Sequence, residues 1–153
     1  MLDRTTSRNP TSTAQVLGHP VHPMLIPFPI AFLVSTFVCD LIYWLTGNTA
    51  WSAATLYLLG AALIMAALAA VAGFIDFFGE HRIRQLPAAW HHMTGNLIAV
   101  ILSIWNWYRR YEAGDAAVLP IGIIISLIVV LILLYTGWRG WEMVYKNKVA
   151  VTD

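Results

Sequence analysis

The chain has 153 residues, 59% of them hydrophobic and only 11% charged, with mean hydropathy +0.68 and a formal net charge of +1. A soluble domain is roughly 25% charged, and one of this length has too little interior to hide so much apolar surface. Disordered chains are poor in hydrophobic residues, and a balanced charge supplies no field for nucleic acid, so both classes are excluded. What remains is an all-α integral membrane protein whose first partner is the lipid bilayer.

Residues 1–17 form a polar, Thr/Ser-rich arm, read as mobile up to Val16. No charged start runs directly into a short apolar core, so the arm does not read as a signal peptide. The next stretch is Gly18-His19-Pro20-Val21-His22-Pro23-Met24-Leu25-Ile26-Pro27-Phe28-Pro29. A residue before proline avoids the α region, which predicts extended His19 and His22, about 9 Å apart if the stretch is polyproline II. Pro27 and Pro29 are tolerable only near a helix start, so regular helix is expected from there. The preceding residues then form a Pro-rich, non-helical entry loop, which must lie against protein or water.

Four runs reach the roughly 20 apolar residues that a membrane helix needs: 24–46, 53–78, 88–108 and 117–138. Short connections at 47–49, 79–87 and 109–115 predict a bundle of antiparallel neighbours. The four-span domain thus covers residues 18–146, and residues 147–153 form a short tail. Arg4, Arg8, Arg82, Arg84, Arg139, Lys146 and Lys148 fall on the side of the termini, against Arg109 and Arg110 on the other. The positive-inside rule then places both termini in the cytoplasm. Tyr43, Trp44, Trp51, Trp105, Trp107, Tyr108 and Tyr111 belt the outer interface; Trp90, Trp138, Trp141 and Tyr145 belt the inner one. Ala62, Ala66 and Ala70 offer the second span a small-residue face for close packing, inside the bundle or between copies.

Asp40 lies about 16 Å along the first helix from Pro29, well inside the hydrocarbon. Burial there costs roughly 2.5–3.5 kcal/mol, so a bundle-facing partner is expected, among Tyr57, Ser103, Ser126 or the nearby Thr36. A neutral structural carboxyl and a proton carrier are the two roles open to it. Cys39 is the only cysteine, which rules out an internal disulfide and any Cys pair for metal binding.

All five histidines, His19, His22, His81, His91 and His92, fall on the termini's side, level with Asp76, Glu80 and Glu142. Such a set suits haem b, a transition metal or a proton relay. It also suits plain solvated side chains at an interface, and no helical HxxxH metal spacing is present.

These motifs resemble a bacterial membrane family catalogued as domain of unknown function 2231. The opening His19-Pro-Val-His22-Pro-Met-Leu, with Pro29, Ser35 and Asp40, follows its HPxHPMLxxxPxxxxxxSxxxD pattern. Gly73-Phe-Ile-Asp76 is similar to its GxxD, and His92-Met-Thr-Gly-Asn96 to its HxxxN. The close around Gly140, Glu142 and Tyr145 is similar to its GxxLVY, with Met143 in the Leu position. Where some relatives carry a further histidine this chain has Pro27. The resemblance implies a bacterial inner-membrane setting, a cluster of His19, His22, Asp76, His92 and Asn96, and a redox context, since relatives join Rieske-type or cytochrome c domains. No CxxCH motif occurs in the sequence.

Three functions are compatible with these features. The first is a haem- or metal-binding redox component, with His22 and His92 as ligands and Asn96 or Asp76 orienting a ring. The second is a non-catalytic module whose cluster is structural and which acts through partner proteins; the partners open to the chain under either reading are a redox partner protein or a homo-oligomer of its own. The third is a small proton-coupled transporter, for which no inverted repeat is evident. No nucleophile–base pair or phosphate loop marks the chain as an enzyme.

Overall fold

The computed structural model describes residues 9–151. A two-residue hairpin, β1 (Gln15–Val16) and β2 (His19–Pro20), leads into α1 (Val21–Leu25) and α2 (Pro27–Thr46). Then follow α3 (Thr49–Gly79), the single turn α4 (His81–Arg84), α5 (Pro87–Ala113) and α6 (Ile123–Trp141). A tight turn at Gly114–Ala117 and a widened one at Val118–Gly122 join α5 to α6, and Glu142–Lys146 widens the last turn. Three stretches are long and apolar enough to cross a membrane: Val21–Thr46, Thr49–Gly79 and Pro87–Lys146. The third is interrupted by Leu119, whose φ −113° and ψ 140° are not helical, so α5 and α6 are separate rods.

Local chemistry sets the ends. Gly47 takes φ 66°, a left-handed conformation glycine adopts freely, and its N–H closes on the Tyr43 carbonyl. The Asn48 side chain then caps α3 by accepting from the Ala50 N–H. Extended Leu86 places Pro87 in the first turn of α5, where its missing N–H is harmless.

Each long helix packs on two others in a closed ring: α2 on α3 and α6, α5 on α3 and α6. Leu33, Leu59, Ala62, Ala99, Ile125 and Val129 fill its middle. Ala62 is fully buried, so the small residue serves packing within the bundle. A second cluster of Phe77, Ile83, Ala89 and Val149 seals the end that carries both termini.

Four sequence expectations are corrected. His22 lies within α1 despite preceding Pro23, because α1 is one short turn that runs almost directly into α2. The arm is docked from Asn9 onward, held by the Val151 carbonyl and by Asp76 of α3, while its earlier part falls outside the described residues. Arg109 and Arg110 belong to α5 and not to a connection. The last rod starts at Ile123, since the glycine-bearing turns occupy residues 114–122.

Candidate functional site

At the termini's end, α1 lays His22 across α3. His22 Nδ1 stands 2.8 Å from the Ala69 carbonyl oxygen. A carbonyl only accepts, so Nδ1 carries a proton, and the tautomer that this bond selects has its lone pair at Nε2. Gly73 makes room: a Cβ there would stand 3.0 Å from His22 Nδ1.

His92, one turn into α5, faces His22 with ring centroids 6.1 Å apart and planes at 83°. Its Nδ1 donates to the Thr136 carbonyl on α6 at 2.8 Å, and Gly140 leaves space beside the ring. Asn96 Nδ2 donates to His92 Nε2 at 3.1 Å, while Asn96 Oδ1 accepts from the Thr136 hydroxyl at 3.0 Å. His92, Asn96 and Thr136 therefore form a closed ring of bonds with no lone pair to spare on the imidazole. His22 Nε2 has no hydrogen-bond partner among the described residues.

The other expected members stand apart. His19 is exposed, with Nδ1 at 3.1 Å from the Leu17 carbonyl. His81 and His91 are exposed, and the His91 ring lies 6.4 Å from that of Tyr135. Asp76 orients no imidazole. Its Oδ1 accepts from the Ser12 hydroxyl at 2.8 Å and from the Thr13 and Ala14 amides at 2.6 and 2.7 Å. The carboxylate is the clasp of the arm. Glu80 caps α4 and pairs with Arg82 at 2.9 Å, and the Arg82 side chain beside it holds its pKa down to about 2. Glu142 is shared by Arg139 and Lys146. Among the described residues no group of three or more His, Cys, Asp or Glu is arranged to hold a metal ion.

A second polar centre lies at the opposite end. Asp40 is fully buried, and Arg110 of α5 grips it with Nη1 at 2.6 Å and Nη2 at 2.8 Å. Ser126 of α6 donates to the same carboxylate at 2.7 Å, so one of the expected hydroxyls is its partner. Arg110 also donates to Asn106, Thr55 and Ser126, which engages all five of its N–H groups. Guanidinium is always protonated in proteins, so this contact is an ion pair.

Arg110 and Thr136 were missed because each was read by its immediate neighbours. The usable signal was the spacing His92, Asn96, Ser103, Asn106, Arg110, which puts these five polar side chains on one face of α5.

No curated protein and no solved structure matches the chain. A family described as a predicted membrane protein, DUF2231, matches residues 18–153, from the glycine that opens the His-Pro motif onward. The match covers β2, both histidines and every long helix, and the chain belongs to this family of membrane proteins.

Proposed function

We propose that the protein is a four-crossing protein of the bacterial inner membrane with both termini in the cytoplasm, and that the His22 imidazole is its working group. The four rods of the ring, the basic residues on the termini's side and exposed aromatics at both ends support the topology. Reporter fusions at Asp153 and in the Gly47-Asn48 turn are expected to mark opposite sides.

One observation carries the second part. His22 is oriented by a backbone carbonyl and keeps a free Nε2, the arrangement that prepares an imidazole to ligate. The donor set discriminates between cofactors. A bare transition metal takes about four protein ligands, which these residues do not supply. Haem brings its own ring nitrogens and needs as little as one histidine from the protein, so His22 fits it as a single ligand. Bound haem supplies one-electron chemistry at the membrane face, in exchange with a redox partner protein. The chain's own part is to fix the ring: Ala69 holds Nδ1, Gly73 admits the imidazole, and His92, locked by Asn96 and Thr136, walls the other side.

A second reading, a purely structural His pair in a non-catalytic module, draws support from the saturated state of His92. The visible spectrum and iron content of purified protein separate the two. The redox reading expects a Soret band that His22→Ala abolishes and His81→Ala leaves intact. Colourless, iron-free protein from haem-replete cells overturns it in favour of the structural one.

A further inference from the structure

The hairpin before α1 carries an unusual tip. Val16 pairs with His19, which leaves Leu17 and Gly18 as a two-residue turn with φ 50° and 81°. Both positive values make this a type I′ turn, whose first position favours Asn, Asp or Gly. Leucine there is sterically strained. His19 Nδ1 meets the Leu17 carbonyl, but among the described residues the Leu17 side chain gains no burial that compensates: Leu17 is 94% exposed and Val16 61% exposed.

The level of the hairpin explains what does. Thr13 packs against the last turn of α3, bonding to Ile75 and Asp76, while His22 lies against Ala69 and Gly73. The chain between them therefore descends along α3, away from its end. At 1.5 Å per residue α3 is about 46 Å long, well beyond the roughly 30 Å of hydrocarbon, so its terminal turns project into the headgroups. His22, level with Ala69 to Gly73, lies about 9–15 Å inboard of Gly79 on that scale. This puts the hairpin at the boundary between headgroups and acyl chains. Its apolar tip is also continuous along the chain with Met24, 60% exposed, and Phe28, 50% exposed, on the open side of the first membrane stretch.

We propose that the Val16-Leu17 tip is a membrane-interface anchor, inserted into the upper acyl region of the leaflet next to α1. Leucine at the strained turn position is then retained for lipid contact, and the tip fixes the depth of the His-Pro segment behind it. The inference rests on the membrane setting and not on any cofactor at His22.

The test uses the full chain with Cys39→Ala and a single Leu17→Cys, labelled with an environment-sensitive fluorophore, in vesicles of phosphatidylethanolamine and phosphatidylglycerol. Several-fold stronger quenching by nitroxide on the upper acyl chain than by aqueous iodide is expected. Gln85→Cys, at the end of α4, is the aqueous control and is expected to show the reverse. Iodide quenching at Leu17→Cys overturns the proposal, since the tip is then in water. Protection from both quenchers also overturns it, since protein then covers the tip. Val16→Cys is the second reporter should the first variant fail to fold. Leu17→Asn, which suits the turn, is expected to raise thermal stability in detergent while moving a probe at Val16→Cys toward iodide.

Discussion

His92 and Thr136 are joined twice, once directly and once through a third residue. The Thr136 carbonyl accepts from His92 Nδ1, and its hydroxyl reaches Asn96, which reaches back to His92 Nε2. Thr136→Val keeps the shape and the carbonyl but removes the hydroxyl, leaving Asn96 Oδ1 unpaired. A loss of about 1–3 kcal/mol is expected, read as a lower thermal midpoint in detergent. Thr136→Ser, which keeps the donor, is expected to recover most of it.

Removing one side of the Asp40–Arg110 pair leaves a buried charge alone. Arg110→Met and Asp40→Asn are each expected to destabilise by about 3–5 kcal/mol. The double variant Asp40→Leu with Arg110→Met is expected to be more stable than Arg110→Met alone. Denaturant unfolding of the three proteins measures this, and a double variant no better than the single would refute an ion pair.

Asp76→Ala deletes the acceptor for two amides and two hydroxyls of the arm. The expected outcome is faster amide exchange and proteolysis confined to residues 9–16, with the long helices unaffected. Ser12→Ala removes only one of the bonds to Asp76, with a local one to the Ala14 carbonyl, and is expected to produce a smaller change of the same kind.

Glu80 ties the arm to α4 through Thr11 and Arg82. Its folded pKa is depressed from 4.5 to about 2, first by the Arg82 side chain. A depressed carboxylate stabilises the fold above its unfolded pKa, and that contribution disappears as pH falls from near 4.5 through about 2. Protection of the Thr11 region in hydrogen exchange is expected to decline over this window. In Glu80→Gln the decline is expected to be smaller.

The sequence was most informative where one rule acts at a time. Apolar run length marked α2 and α3 almost to their ends, because lipid imposes a length and leaves little else to vary. It failed at 109–122, where two arginines looked like a surface connection. Arg110 is hidden because its partner Asp40 lies on another helix, and pairings across helices leave no local trace. The proline rule failed at His22 for a related reason: the fit of its ring against Ala69 and Gly73 outweighs a local preference for extended backbone. His22 and His92 were named as a pair, but the carbonyls that orient them belong to Ala69 and Thr136, and a backbone acceptor has no sequence signature.

The inward face of α5 bears on how the molecule tolerates change in length. His92, Asn96, Ala99, Ser103, Asn106 and Arg110 recur at intervals of four and three, so one line of side chains serves both polar centres. α5 is therefore a ruler as well as a wall. Adding one residue between Asn96 and Asn106 would turn one end by about 100° against the other. Either the imidazole ring of bonds or the Arg110 clamp could then form, but not both.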